Sequence, residues 1–104
     1  MKIAVIGSTM MDIVSYTDTM PQAGETRRVS GFHIASGGKG ANQAIAAAKL
    51  GADVVMMTAV GDDMFGEQSR RNFQDHHIDM SLVKTAEGTS NGIATIVVDA
   101  TGQN

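Results

Sequence analysis

Three groups of residues in this chain have side chains and spacing that could do chemistry. Ser36-Gly37-Gly38-Lys39-Gly40 is the only dense glycine cluster, and it runs directly into Ala41 to Leu50 (ANQAIAAAKL), the stretch of highest intrinsic helix propensity. A helix N-terminus entered through glycines presents backbone N–H groups and the positive end of the helix dipole, so anions or hydroxyl oxygens bind there readily. Lys39 and Asn42 stand three apart in the first turn and emerge along one edge. An ammonium that only donates, beside a carboxamide that donates and accepts, suits the vicinal hydroxyls of a sugar. Such a loop also serves elsewhere as an ordinary tight connection or cap. The second group, Asp62-Asp63, precedes a helical stretch and reads as a cap rather than a pair of acid–base carboxylates. The third, His76-His77, consists of neighbours that point to different sides of a helix end, so no metal ligand is assigned there or elsewhere.

Two better-defined motifs are missing. No Lys-Ser or Lys-Thr follows the glycine cluster, so it is not a Walker A loop. Gly7-Ser8-Thr9-Met10-Met11-Asp12 lacks the second and third glycines of a dinucleotide fingerprint, which disfavours an NAD-dependent oxidoreductase.

The elements that must position these residues follow from periodicity. Lys2 to Gly7 (KIAVIG) reads as a buried strand, Asp12 to Thr17 as a second extended piece, and Pro21-Gln-Ala-Gly24 as a turn. Thr26 to Ile34 reads as strand, with Phe32 and Ile34 on one face and His33 on the other. Gly51 caps the helix that begins near Ala41, and Asp53 to Val60 (DVVMMTAV) has the continuous apolar character of a central parallel strand covered on both faces by helices. A helix from about Met64 to His76 carries Phe65, Ser69 and Phe73 on one face. Ile78 to Val83 and Gly92 to Asp99 (GIATIVVD) are further strands, with Ala94, Ile96 and Val98 sharing one side of the latter. This order describes an α/β doubly wound core in which the 12–34 and 92–99 segments are candidates for a separate small sheet. Thr101-Gly-Gln-Asn104 is a turn signal after a strand and suits a hairpin whose partner is missing, so the chain is expected to be truncated.

Composition narrows the partners. The 104 residues are 42% hydrophobic and 18% charged, which fits one ordinary globular unit. A net charge of −3 with only isolated Arg27-Arg28 and Arg70-Arg71 pairs argues against nucleic acid. Neither a leader nor a membrane-spanning apolar stretch is present, so the expected location is cytoplasmic, with no membrane partner. Without cysteine there is no disulfide, thiolate metal site or cysteine nucleophile. The eight methionines read as adaptable core filling.

The whole spacing is more specific than any one motif. Gly37-Gly38-Lys39-Gly40-Ala41-Asn42-Gln43-Ala44, then Gly51, then Gly61, resembles the N-terminal signature of the ribokinase family, the PfkB carbohydrate kinases. Gly7-Ser8 with Asp12, Pro21 to Thr26, Gly61-Asp-Asp63 with Phe65-Gly66, and Ile78-Asp79 occur in the order that family has, so the resemblance runs from end to end. It implies a ribokinase-like Rossmann-type α/β domain with a small β-sheet lid, the chain being the N-terminal part (1–104) with lid segments near 12–34 and 91–104.

The resemblance also implies roles. Asp12, with Met10 and Met11 beside it, lies where the family binds sugar hydroxyls; Gly38, Lys39, Gly40, Ala41 and Asn42 match the loop around the other side of the ring; Ala94 and Ile96 match apolar lid contacts. Met10 stands where ribokinases usually carry an Asn. A hydroxyl left there without a partner costs roughly 1–3 kcal/mol, which points to a less hydroxylated pentose such as 2-deoxyribose, while a bridging water or a shifted ring keeps ribose open. The implied reaction is transfer of the ATP γ-phosphoryl group to a primary sugar hydroxyl, with Mg²⁺ and K⁺. The family's catalytic Asp and its nucleotide and cation sites belong to a C-terminal motif that this sequence does not contain, so no catalytic residue is assigned and the 104 residues alone are expected to be inactive. A homodimer through the lid is expected. A nucleoside kinase of the same superfamily and a non-catalytic sugar-binding module are the alternatives.

Overall fold

Eight elements follow along the chain, and the computed structural model describes all 104 residues: β1 (Lys2–Ile6), β2 (Met10–Tyr16), β3 (Gly31–Gly37), α1 (Lys39–Lys49), β4 (Asp53–Gly61), α2 (Met64–Asp75), β5 (Asp79–Ala86) and β6 (Ile93–Val98). They form two sheets. β1, β4 and β5 make a parallel sheet in that order, and β3, β2 and β6 make a second, in which β2 is antiparallel to β3 and parallel to β6. The strands expected to form a separate small sheet do so.

The core lies between the parallel sheet and the two helices. Val5 of β1, Val54, Met56 and Val60 of β4, and Val83 of β5 meet Ala41 and Ala44 of α1, Phe73 of α2 and Ile78. Small alanines let α1 sit close to the sheet, and Phe73, fully buried, fills the volume under α2.

Both helices cover the same face. The strand order runs one way from β1 through β4 to β5, and right-handed crossovers moving in one direction place their helices on one side. The expectation that β4 is covered on both faces is therefore corrected for these residues. Ile6, Met57 and Leu82 line the other face and are 75%, 42% and 46% exposed.

Both helices end in a motif that turns the chain back into the core. At α1, Gly51 takes φ 94°, its N–H donates to Ala48 O, and the Ala52 N–H donates to Ala47 O. At α2 the same pattern uses a residue that is not glycine: His77 sits at φ 57° and donates to Gln74 O, while Ile78 N–H donates to Phe73 O. The apolar contact that accompanies this motif is between Ile78 and Phe73, both in the core.

Other boundaries move for reasons of pairing. The strand expected over Thr26 to Ile34 runs instead from Gly31 to Gly37, because the β2 ladder pairs Tyr16 with Gly31 and Met10 with Gly37 and then stops. Residues 21–30 are exposed and outside any strand. α1 begins at Lys39 rather than Ala41, and α2 ends at Asp75 with His76 as its cap. On α2, Gly66 joins Ser69 and Phe73 as the buried residues, and Phe65 is only half-buried. The chain has a radius of gyration of 15.9 Å, above the ~13 Å of a compact domain of this length, because the second sheet projects from the first.

Candidate functional site

The projecting sheet leaves the parallel sheet where β1 and β4 end, the edge at which α/β folds bind ligands. From β1 the chain passes through Gly7-Ser8-Thr9 beneath the start of α1. Gly7 N–H donates to Met57 O at 3.3 Å, Ala41 N–H donates to Ser8 O at 3.0 Å, and the Thr9 and Thr58 hydroxyls meet at 2.9 Å. Here the glycines fit backbone against backbone. A Cβ on Gly40 would lie 2.6 Å from Gly7 Cα, and one on Gly38, whose φ is 92°, would lie 2.7 Å from Ser8 O.

Alternation along β2 then sorts the candidate residues by face. Asp12 pairs laterally with Ala35 of β3 and Ala94 of β6, and Val14 with His33 and Ile96. Met10, Asp12, Ala94 and Ile96 therefore share one face, all partly accessible. The Asp12 carboxylate lies over Gly37, where a Cβ would come within 2.7 Å of both its oxygens. Gly37 is thus required by Asp12, a role sequence reading missed although the residue stood inside the glycine cluster. Met10 packs on Gly92, its Cγ at 3.4 Å from where a Cβ would be.

The other candidates fall elsewhere. Met11 is 1% exposed and lies on the opposite face, so its side chain presents no surface beside Asp12. Gly40 and Ala41 are buried under the β1–β2 crossing, and the Ala41 N–H is already used by Ser8 O. Lys39 and Asn42 are exposed. Asn42 borders a groove of about 390 Å³ between α1 and α2, with Ser36, Ile45, Lys49, Asn72 and His76. Ser36 lies on the face opposite Asp12, so the largest concavity in the chain is not the Asp12 face.

Charge at the site is uncompensated. The single ion pair in the chain joins Arg27 to Glu25 on the exposed loop, so neither Asp12 nor Lys39 has a counter-ion. A carboxylate that only accepts and an ammonium that only donates flank the glycine turn between β3 and α1, free to meet hydroxyls that do both. The structure gathers no group of three or more His, Asp or Glu side chains that could hold a metal ion.

At the base of the projecting sheet, Asp63 caps α2 by accepting the Gly66 N–H at 2.9 Å, as expected, and its other oxygen accepts the Asn91 N–H at 2.9 Å. These two backbone donors, Asn91 first, hold its carboxyl below the usual carboxylate range. Asn91 itself is 4% exposed and had not been singled out, since Ser-Asn-Gly reads as a plain turn.

The whole chain, residues 1–104, matches the pfkB family carbohydrate kinase description. It is 49% identical over 104 residues to a deoxyribokinase of Salmonella typhi, covering all of this chain and 34% of that one. It is 44% identical over 102 residues to a ribokinase of Bacillus subtilis, covering 98% and 34%. Its fold superimposes on Arabidopsis thaliana ribokinase complexed with ribose and ATP with a TM-score of 0.91 at 29% identity, covering 97% and 33%. The chain spans about a third of the length of the relatives it matches. No helix is long and apolar enough to cross a membrane.

Proposed function

Because this chain belongs to the pfkB family of carbohydrate kinases, we propose that it supplies the sugar-binding part of an ATP-dependent kinase that phosphorylates a pentose, 2-deoxyribose or ribose, at its primary hydroxyl. The observation that carries this reading is the unpaired Asp12 carboxylate, on one face with Met10, Ala94 and Ile96 and lying over Gly37, two residues before Lys39.

Each residue then has a task. Asp12 accepts hydrogen bonds from ring hydroxyls; Lys39 donates to another and, with Gly38 and Asn42, borders the far side of the ring. Ala94 and Ile96 cover the apolar C–H face of the sugar, and the small sheet acts as a lid. Holding the ring removes its freedom to rotate away from the phosphoryl donor, which is how positioning lowers the barrier in phosphoryl transfer. Met10 provides no hydrogen-bond partner, which favours 2-deoxyribose. The 49% identity to a deoxyribokinase, against 44% to a bacterial ribokinase, agrees with that preference.

ATP and its Mg²⁺, with K⁺, are assigned to the two-thirds of the relatives' length that this chain does not span. They supply the phosphoryl group and neutralise its charge, and no step through them is assigned to residues 1–104. Dependence on ATP points to the cytoplasm as the compartment. Pairing of two copies through the lid is supported by its face opposite Asp12, where Phe32, Ile34 and Ile93 are 67%, 40% and 45% exposed.

ADP release by the protein that carries this chain, compared for 2-deoxyribose, ribose and adenosine at equal concentration, tests the reading. Faster turnover of 2-deoxyribose is expected. Faster ribose turnover overturns the Met10 argument while keeping the kinase, and activity with adenosine alone overturns the pentose assignment. Residues 1–104 expressed alone are expected to release no ADP.

A further inference from the structure

A hydrogen-bonded knot joins the parallel sheet to the root of β6. Gly61, the last residue of β4, donates its N–H to Asn91 Oδ1 at 2.9 Å across 30 residues of sequence. Asn91 Nδ2 donates to Gly92 O at 3.0 Å, and the Asn91 N–H donates to Asp63 Oδ2. The other Asp63 oxygen accepts the Gly66 N–H. The amide side chain of Asn91 thus uses its acceptor and one donor inside a nearly closed site, and no buried polar side-chain atom is left without a partner. Its backbone is seated as tightly, since a Cβ on Gly61 would lie 1.9 Å from Asn91 N and one on Gly66 1.9 Å from Gly61 O. Gly61 and Gly66 are therefore glycine because the knot leaves no space.

What the knot holds is the entry to the candidate sugar face. Gly92 follows Asn91, its carbonyl accepts the Met11 N–H at 3.0 Å, and the Met10 side chain lies against it. Two residues further on, Ala94 pairs with Asp12. The same carboxylate that caps α2 in the main layer thus sets the position of a strand in the projecting sheet.

We propose that Asn91, held by Asp63, is a positioning residue that fixes how β6 leaves the main layer and so sets the distance between Ala94 and the sugar held by Asp12. The proposal rests on the sugar-kinase reading for its kinetic consequence, but not for its mechanical one. Asn91 does not touch the reacting atoms; it acts through Gly92 and Ala94.

Two substitutions separate the latch from ordinary stability. Asp63→Ser keeps a hydroxyl that caps α2 but is too short to reach Asn91 as well. Asn91→Ala removes the side-chain ties while leaving the backbone donor. Loss of a buried hydrogen bond of this kind corresponds to about a tenfold effect. In the protein that carries this chain, both variants are expected to raise the sugar KM about tenfold, with kcat and the ATP KM within about twofold of wild type. Combined, they are expected to be less than additive, because they act on one device. Amide hydrogen exchange without sugar gives the independent readout: protection of Ile93 to Val98 should fall about tenfold while that of β1 and of β4 up to Val60 is kept. A folded Asp63→Ser protein with unchanged β6 exchange and unchanged sugar KM overturns the proposal. A wild-type protein that turns over no sugar overturns the functional reading instead, and the exchange result still decides the latch.

Discussion

At Met10 a thioether lies against Gly92 on the face that carries Asp12, and nothing it offers can answer a ring hydroxyl. Met10→Asn is expected to raise kcat/KM for ribose relative to 2-deoxyribose by about tenfold, the value of one satisfied hydrogen bond in a closed site. Steady-state kinetics with the two sugars checks it. Asp63 makes a second prediction at this scale, through pH. Its carboxyl is held low by the Asn91 and Gly66 N–H groups, so the folded state favours the ionised form. A carboxyl lowered on folding contributes stability that is present in full above the ordinary carboxylate range and is lost as pH falls through its lowered value. Neighbouring Asp62, which accepts the Gly88 N–H, adds negative charge beside it. Glu25, Asp79 and Asp99 are lowered as well, so global acid unfolding does not single out Asp63. Exchange at the Gly66 and Asn91 amides does, and it should accelerate with acid beyond its intrinsic rate only below the carboxylate range.

Among the elements, α1 is constrained at its start and α2 at its end. A methyl on Gly40 would meet the backbone of Gly7 and Ser8 at 2.6–2.7 Å, with no flexible side chain to yield. Gly40→Ala should therefore force the β1–β2 crossing away from α1 and destabilise the fold by about 2 kcal/mol or more, despite alanine's better helix propensity. Urea unfolding measures this. His77 presents the opposite case: it holds a left-handed backbone at φ 57° with an exposed side chain. His77→Gly is expected to stabilise by about 1 kcal/mol, read as a rise in the unfolding midpoint with unchanged slope. The pattern that makes a left-handed residue necessary at position 77 was only half legible beforehand. The pair at the helix end was visible, but which histidine would turn left-handed follows from Ile78 having to reach Phe73 in the core.

Across residues 1–104, one-directional strand order leaves Ile6, Met57 and Leu82 open on one side, and the projecting sheet leaves Phe32, Ile34 and Ile93 open on another. The second patch is the one proposed to meet its own copy. Phe32→Lys on the protein that carries this chain should convert a dimer into a monomer in sedimentation velocity, because a charge buried without a partner in a symmetric contact is repeated on both sides of it. A monomeric wild type, or a dimer indifferent to this change, would contradict pairing through the lid.

Sequence by itself determined that this chain alternates strands and helices, that its glycine cluster opens a helix, that the Asp62-Asp63 pair caps the next one, and which family its spacing belongs to. The first three are local matters, set by propensity, capping and turn chemistry within a few residues of each other; the family is carried by the order and spacing of motifs along the whole chain. It also indicated that 12–34 and 92–99 stand apart as a small sheet, because their alternating pattern differs from the continuous apolar run of β4. Tertiary structure decided the rest. The β3 boundaries follow from where the β2 ladder ends, pairing with Gly37 and Ser36 carries β2 back to Met10 and so turns Met11 away from Asp12, Gly37 is required by a carboxylate 25 residues earlier in the chain, and Asn91 gains its meaning from Gly61 and Asp63. Each of these depends on which distant backbone a residue is pressed against, and local propensity carries no record of that.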